Sequence, residues 1–249
     1  AYGKEDLEAG AHAISSLEAA TAALKKGEVD VLVTAPIHKK SIQSDTFKFP
    51  GHTDYLNEQL EGDSLMFMVT DSLKVALMSD HIPLKEVVGY LNEEKINAKI
   101  ASLEKSLSQD FGIQRPKIAV LGINPHTGDN GVIGDEDDTL LTPVIKKWNE
   151  KGSLVFGPYA ADGFFGNQRY TKFDGVLATY HDQGLIPFKT LSFGQGVNFT
   201  AGLSHVRTSP DHGTAFDIAG KGVADASSFS EAVYTARAIF LQRKEVNFS

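Results

Sequence analysis

Three of the eight histidines each follow an apolar, strand-like run, and these runs lie in three separate parts of the chain. The runs lead into His81, His126 and His181. Ligands of open α/β sheets bind just outside the carboxyl ends of the strands, so we expect the three imidazoles to converge if their strands share a sheet. Three neutral imidazoles with open coordination positions suit a catalytic divalent metal such as Zn²⁺. The alternative is that each histidine caps its own strand independently.

Two carboxylates occupy comparable positions. Asp182 directly follows His181, and Asp162 ends a polar loop that follows another strand-like run. Each is a candidate for proton transfer or for orienting a histidine ligand. For Asp182 the alternative is simple hydrogen bonding at the end of the strand.

A turn followed by a helix start at residues 49–56 predicts an anion contact. Free backbone N–H groups at a helix start attract anions, so His52 and Thr53 are candidate substrate contacts. Thr53 or Asp54 could equally serve as the helix N-cap. The acidic run at residues 135–138 suits the positive end of a helix dipole, and we interpret it as solvated rather than metal-binding.

The hydrophobic pattern around these residues predicts an α/β protein in which helices alternate with buried strands. We expect helices at residues 6–26, at 83–110 with an interruption near Asn92, at 134–149, and at 232–241 after a capping box from Ser228 to Glu231. We expect buried strands at residues 29–36, 65–70, 73–79, 117–125, 175–180 and 197–201.

The bulk composition excludes several classes of protein. At 249 residues the chain can bury a sizeable core, as one large domain or two modest ones. Its net charge of −8 argues against a nucleic-acid partner, which usually needs a basic face. The lack of cysteine leaves no disulfide or thiolate metal site and fits the cytoplasm. No apolar run approaches the roughly 18 residues that would span a membrane, so we expect no membrane partner.

Several short motifs occur in one order along nearly the whole chain. They are residues 34–39 (TAPIHK), 51–54 (GHTD), 81–84 (HIPL), 124–126 (NPH), 180–184 (YHDQG), and 207–209 (RTS) with 211–214 (DHGT). Each motif alone is weak, but the ordered set is specific. Together they resemble the family of 4-hydroxythreonine-4-phosphate dehydrogenases, the NAD-dependent enzymes of pyridoxal phosphate biosynthesis.

The resemblance implies a two-domain α/β architecture like that of isocitrate and isopropylmalate dehydrogenases, with a cleft between the domains. We expect a discontinuous cofactor-side domain at residues 1–50 and 190–249, and a metal, substrate and dimerisation domain at residues 51–189. The resemblance also implies a homodimer whose subunits share the active site. Family members normally begin with a segment carrying a Gly-Asp/Glu-Pro-Ala-Gly-Ile-Gly loop. This sequence has no match to that loop and no initial Met, so we expect the first strands of the cofactor-side domain to be missing.

The resemblance assigns roles residue by residue. The divalent metal, which is Zn²⁺, Mg²⁺ or Co²⁺, would be held by His81, His126 and His181. The substrate contacts would be His52, Thr53, Lys189, Asn198 and Arg207. Of these, Lys189 and Arg207 supply the cations that a phosphate needs. The alternative for those two is that they are surface cations on an acidic protein.

A glycine-bearing segment near the end of the chain resembles the adenosine-binding loop of isopropylmalate dehydrogenases. Its candidate NAD contacts are His212, Gly213, Thr214 and Asp217. A carboxylate at Asp217 would accept from the ribose 2′-hydroxyl and repel a 2′-phosphate. The alternative is a turn that holds no ligand. The sequence contains neither a P-loop nor a GxGxxG fingerprint.

The implied reaction is NAD-linked, metal-dependent oxidation, with decarboxylation, of 4-phosphohydroxy-L-threonine to 3-amino-2-oxopropyl phosphate. One alternative is a paralogous dehydrogenase that acts on phospho-threonate, phospho-erythronate or a dihydrodiol carboxylate. A metal hydrolase using the three histidines and a bound water, and a non-catalytic binding domain, are further alternatives.

Overall fold

A computed structural model describes residues 3–247 and confirms the α/β class. The strands in chain order are β1 (Val31–Val33), β2 (Gly62–Val69), β3 (Lys74–Leu77), β4 (Lys117–Leu121), β5 (Leu154–Tyr159), β6 (Gly175–Ala178), β7 (Val197–Leu203) and β8 (Val206–Pro210). The α-helices are α1 (Leu7–Lys25), α2 (His52–Gln59), α3 (Val87–Tyr90), α4 (Glu93–Gln109), α5 (Thr142–Glu150), α6 (Ala161–Gly166), α7 (His181–Ser192) and α8 (Ser227–Asn247). No helix among these residues is both long enough and apolar enough to cross a membrane.

The chain forms two compact units. The first contains the residues up to Ser64 together with Gly194–Leu241, and the second contains Leu65–Phe193 and the end of the chain from Gln242. Strand β2 carries the chain from the first unit into the second. The domain roles predicted for residues 1–50 with 190–249 and for residues 51–189 stay a prediction.

In the first unit, β1 pairs in parallel with β8, and β8 pairs antiparallel with β7. Helix α1 begins where Asp6 caps it, since the Asp6 carboxylate accepts from the backbone N–H of Glu8 at 2.9 Å. The buried face of α1 packs Leu17 and Leu24 into the apolar core of the unit, where Phe47 also lies. The helix predicted at residues 6–26 is therefore confirmed.

In the second unit, β3, β6, β4 and β5 lie side by side in that order and run parallel, and β2 pairs antiparallel with β3. Strands β3, β6 and β4 are almost completely buried, as expected for strands that are covered on both faces, whereas β5 at the end of the strand order is partly exposed. Helix α7 lies close to β3 and β6. A Cβ atom at Gly184 would come within 2.9 Å of side-chain carbons of Val75, Leu77 and Ala178, so only glycine permits this approach.

Several local predictions need correction. Helix α2 begins at His52 with Gly51 as its N-cap, so neither Thr53 nor Asp54 caps it. Asp162 lies in the first turn of α6 rather than in a loop. Helix α8 begins at Ser227, which places Ser228 inside the helix instead of at the predicted cap.

Candidate active site

The three strands that lead into the candidate metal ligands share one sheet. β6 pairs in parallel with both β3 and β4, so their carboxyl ends lie at the same edge. His81 follows β3, His126 follows β4, and His181 is the first residue of α7 directly after β6. The condition on which the three imidazoles were expected to converge, that their strands share one sheet, is therefore met.

His81 and His181 lie close together at this edge. Their ring centroids are 6.0 Å apart, and 49% and 38% of the two side chains are exposed. Both line a cavity of about 520 Å³, which also includes the carboxylates Asp80 and Asp182. The Asp182 carboxylate lies 2.7 Å from Nδ1 of His181. Two imidazoles and two carboxylates therefore face one solvent-accessible space.

This donor set fits a divalent ion in its chemistry. A Zn–N bond is about 2.0–2.1 Å long, so two imidazoles that bind one ion have ring centroids at most roughly 6 Å apart. The separation of His81 and His181 lies at the limit of that range. Residues 3–247 contain no group of three or more His, Asp or Glu side chains already placed to hold a metal ion. The three-histidine metal site stays a prediction.

His126 is set apart from this pair. It lies in the 3₁₀ turn Pro125–Gly128 and is not among the residues that line the cavity of His81 and His181. His126 and Thr127 have φ angles of 53° and 54°, in the left-handed region that non-glycine residues seldom adopt. Such a conformation persists only where the surrounding structure fixes it.

Asp137 fixes the loop that carries His126. Its carboxylate is fully buried, and its two oxygens accept from the backbone N–H groups of Ile123 at 2.8 Å and Asn124 at 2.9 Å. The interpretation of the acidic run as solvated is therefore wrong for this residue. The four acidic side chains of the run differ only in where the helical turn places them, and Asp137 is the one that faces inward.

A partly buried polar side chain joins the strand ends. The side chain of Gln183, in the first turn of α7, accepts from the backbone N–H of Thr179 at 2.8 Å and donates to the carbonyl of Gly122 at 2.6 Å. The Ser79 hydroxyl donates to the carbonyl of Thr179 at 2.7 Å. These contacts connect the segments that follow β3, β4 and β6.

The first unit contains a buried cation. Arg207 lies inside β8 and is only 3% exposed, so the alternative that it is a surface cation is wrong. Its guanidinium donates to the Thr34 hydroxyl at 2.7 Å and 3.1 Å, and to the Thr200 hydroxyl at 3.0 Å. Burial lowers the pKa of Arg207 to about 10, which still leaves it protonated at neutral pH. The hydrogen bonds described for this cation thus end on neutral hydroxyls.

His52 is electrostatically coupled to that cation. Burial, and secondly the positive charge of Arg207, lower the pKa of His52 to about 3. The imidazole is therefore neutral at physiological pH. Thr53 follows it in α2, and Asn198 lies in β7 of the same unit. Lys189 lies in the last turn of α7, in the second unit.

The predicted NAD loop lines a separate cavity in the first unit. This cavity measures about 470 Å³ and lies between α1, the segment around His38, and the loop from His212 onwards. His212, Gly213 and Thr214 line it, whereas Asp217 is exposed and does not. The ring of Phe216 packs against His38 with centroids 5.3 Å apart.

Sequence reasoning missed the residues that hold the site in place. They are Thr34 and Thr200 around Arg207, and Asp137, Gln183, Thr179 and Ser79 at the strand ends. Apart from Asp137, none of them has a residue type that signals chemistry. The nearest signal was position, since Gln183 and Thr179 flank the predicted ligand His181.

Comparison with known proteins gives consistent matches along the chain. Residues 1–236 match the family model described as pyridoxal phosphate biosynthetic protein PdxA. The 4-hydroxythreonine-4-phosphate dehydrogenase of Bacteroides thetaiotaomicron is 50% identical over 245 residues, which are 98% of this chain and 67% of that protein. A crystal structure of the Klebsiella pneumoniae 4-hydroxythreonine-4-phosphate dehydrogenase is similar with a TM-score of 0.83 and 38% identity, covering 96% of this chain and 73% of that one.

A second named activity occurs among the solved structures. The terephthalate 1,2-cis-dihydrodiol dehydrogenase of Burkholderia xenovorans is similar with a TM-score of 0.69 and 26% identity. The match covers 96% of this chain and 76% of that one.

Proposed function

We infer the function from the premise that the chain belongs to the PdxA family of pyridoxal phosphate biosynthetic proteins. It is a dehydrogenase of that family and has its isopropylmalate dehydrogenase-like α/β fold. We propose that it oxidises 4-phosphohydroxy-L-threonine with NAD and decarboxylates the product to 3-amino-2-oxopropyl phosphate. The observation that supports this proposal best is the pair of imidazoles, His81 and His181, whose rings lie 6.0 Å apart in one cavity at the strand ends.

The strand-end cavity is the proposed reaction site. His81 and His181 would hold a divalent metal, with His126 as the third ligand that the family resemblance implies. When bound, the ion lowers the pKa of a coordinated substrate hydroxyl and stabilises negative charge that develops beside it. Bound NAD would supply the hydride acceptor. Asp182, which lies 2.7 Å from His181, orients that imidazole, and Asp162 is the second candidate for proton transfer.

Arg207 is the proposed centre of phosphate recognition. Within residues 3–247, the hydrogen bonds of this buried guanidinium end on neutral hydroxyls. Burying a cation among neutral groups carries a large desolvation cost, which an anionic ligand would offset. His52 is neutral beside it and can donate or accept a hydrogen bond without repelling the cation. We assign Thr53, Asn198 and Lys189 to the same substrate.

The cavity in the first unit is the proposed NAD site. His212, Gly213 and Thr214 line it, and Gly213 has no side chain to hinder the close approach of a nucleotide. We assign Asp217 to the adenosine ribose, where it would favour NAD over NADP. This assignment places the cofactor side in the first unit and the metal and dimerisation side in the second. We further propose a cytoplasmic homodimer whose subunits share the active site.

The second candidate is a paralogous dehydrogenase that acts on a dihydrodiol carboxylate, phospho-threonate or phospho-erythronate. The similarity to the dihydrodiol dehydrogenase of Burkholderia xenovorans favours the first of these. A dihydrodiol carboxylate carries no phosphate, so it gives the Arg207 region no phosphate to bind.

A substrate panel tests the proposal. NADH formation is followed by absorbance with each candidate substrate, after chelation and after re-addition of Zn²⁺, Mg²⁺ or Co²⁺. We expect the highest kcat/KM with 4-phosphohydroxy-L-threonine, and no turnover after chelation until metal is restored. A higher kcat/KM with the non-phosphorylated dihydrodiol carboxylate would establish the second candidate instead. Product formation without NADH would indicate a hydrolase.

A further inference from the structure

The three candidate metal-binding histidines follow the ends of three strands. Other side chains, outside this set, connect the backbones of the strand ends by hydrogen bonds. Ser79 lies two residues before His81, and Thr179 lies two residues before His181. Gly122 begins the loop that leads from β4 to His126. Two side chains connect the second and third of these segments: that of Gln183, and the Thr179 hydroxyl, which lies 3.3 Å from the Gly122 carbonyl.

Gln183 uses both ends of its amide. Its carbonyl oxygen accepts from the backbone N–H of Thr179 at 2.8 Å and lies 2.9 Å from the Thr179 hydroxyl. Its NH₂ group donates to the Gly122 carbonyl at 2.6 Å. Thr179 is completely buried, and its carbonyl accepts from the Ser79 hydroxyl at 2.7 Å. A single hydrogen-bonded chain therefore runs from the end of β3 through the end of β6 to the end of β4.

These bonds occur where the sheet's own hydrogen bonding stops. Beyond their last ladder bonds, β4 leads into the loop of His126 and β6 leads into α7, and their buried N–H and C=O groups need other partners. Gln183 donates to the segment after β4 and accepts from the segment after β6. Its amide therefore replaces the backbone partners that these groups would have inside the sheet. Its own position is fixed because it lies in the first turn of α7, which packs tightly on β3 and β6 through Gly184.

We propose that Gln183 is a positioning residue of the active site: it holds the strand-end segments of His126 and His181 in a fixed relation, and Ser79 extends that hold to His81. The inference rests on the proposed function of these histidines. It adds a residue that contacts neither metal nor substrate and acts through the backbone. Small displacements of a ligand set lower metal affinity and turnover without changing the ligands themselves.

Two substitutions test the inference. Gln183→Met keeps the length of the side chain but removes both hydrogen-bonding ends. Gln183→Glu keeps the acceptor for Thr179 and replaces the donor towards Gly122 by an oxygen, so it breaks only the link to β4. Asn97→Leu is the matched control, because the Asn97 amide also accepts from one element and donates to another, at 2.8 Å in each case, within the same unit.

The measurements are Co²⁺ affinity from its visible absorption, the thermal midpoint of the metal-free protein, and kcat and KM. We expect both Gln183 variants to raise the Co²⁺ dissociation constant, and to lower kcat, roughly 10- to 100-fold. The KM for NAD should stay within about twofold, since the proposed NAD cavity belongs to the other unit. Asn97→Leu should lower the thermal midpoint while leaving Co²⁺ affinity and kcat within about twofold.

The outcomes separate this inference from the function on which it rests. If the wild-type protein binds no Co²⁺ and turns over after chelation, the proposed metal site is wrong and the inference falls with it. If the wild-type protein binds Co²⁺ and both Gln183 variants bind it as tightly, only the inference is overturned. Should Gln183→Met fail to fold, the more conservative Gln183→Glu variant decides by the same criterion.

Discussion

The two units hold their candidate site residues in opposite ways. In the first unit the functional side chain itself is buried, since Arg207 is 3% exposed and is held by the hydroxyls of Thr34 and Thr200. In the second unit His81 and His181 remain about half exposed, and buried groups hold the backbone beneath them instead. The first unit therefore holds the charged side chain itself in place, and the second holds the backbone segments that carry the imidazoles.

This difference determines what a mutation should do. A buried cation contributes to the packing of its unit and carries a desolvation cost, so its removal affects stability and binding together. A half-exposed imidazole contributes little to packing, so its removal should affect function alone. In the second unit the stability effects should appear at residues such as Asp137 and Gln183, which hold the backbone next to the candidate metal ligands.

The largest effect is expected at Arg207. Arg207→Ala leaves a cavity and two unpaired threonine hydroxyls, and should lower the free energy of unfolding by about 3 kcal/mol. Arg207→Met fills the space and removes the buried charge, so its free energy of unfolding should stay within about 1 kcal/mol of wild type. Urea denaturation measures both values.

The same two variants test the phosphate assignment. Each should raise the KM for the phosphorylated substrate roughly 10- to 100-fold, because a charge-assisted contact contributes about 1.5–3 kcal/mol. The KM for NAD should move much less. A phosphosubstrate KM within twofold of wild type in Arg207→Met would remove Arg207 from the phosphate site and leave the start of α2 as the next candidate.

The second-largest effect is expected at Asp137. It tests whether a buried carboxylate holds the backbone of the loop that carries His126. Asp137→Asn replaces one accepting oxygen by an NH₂ group that faces a backbone N–H. It should lower the free energy of unfolding by about 2–3 kcal/mol, the contribution of a hydrogen bond to a charged group. Asp138→Asn is the control, because the Asp138 side chain, next to Asp137 in the sequence, is exposed. This variant should change the free energy of unfolding by less than about 0.5 kcal/mol. Equal stabilities for the two variants would show that the carboxylate of Asp137 does not hold the loop.

The third effect depends on pH and belongs to the first unit. The folded protein holds the pKa of His52 near 3, from an ordinary value of 6.5. As the pH falls below 6.5, His52 becomes protonated in the unfolded chain but stays neutral in the folded protein. The free energy of unfolding therefore decreases as the pH is lowered. From pH 7 to pH 5 the loss should be about 2 kcal/mol.

The comparison of wild type with His52→Gln isolates this loss. Between pH 7 and pH 5, the free energy of unfolding of wild type should fall by about 2 kcal/mol more than that of His52→Gln. From pH 7 to pH 8, the difference between the two proteins should stay nearly constant. A difference that is constant over the whole range would show that His52 titrates normally in the folded state.

The sequence predicted the strand-end histidines better than it predicted Arg207. An apolar run that stops abruptly at His81 or His181 is a local signal, and parallel strands bring such ends together without further information. Arg207 lies in the run Val-Arg-Thr-Ser-Pro, which is polar enough to resemble a turn. This run forms a buried strand because β1 pairs with it and because Arg207 donates hydrogen bonds to Thr34. Thr34 and Arg207 are 173 positions apart in the sequence, so no local pattern shows this contact.

Asp137 and Gln183 escaped prediction for a different reason. Asp137 is one of four consecutive acidic residues, and nothing local distinguishes the one that turns inward. Gln183 has no chemistry of its own, and its role exists only because Thr179 and Gly122 are brought within reach of one amide. Both roles arise from tertiary structure, whereas the ligand types are visible in the sequence.

The smallest effect on stability is expected at Asp182, and it tests the exposed side of the comparison. The Asp182 side chain is 71% exposed and its carboxylate lies 2.7 Å from Nδ1 of His181. Asp182→Asn should change the free energy of unfolding by less than about 0.5 kcal/mol, since exposed pairs of this kind contribute little. If the carboxylate orients His181, kcat should nevertheless fall roughly 10- to 100-fold, as for other partners of metal-binding histidines. Glu8→Gln is the control, because it breaks another exposed histidine–carboxylate contact, that of His12 and Glu8, and should change neither quantity. A fall in kcat accompanied by an equal loss of stability would mean that Asp182 acts on the fold, and the contrast between the two units would not hold at this residue.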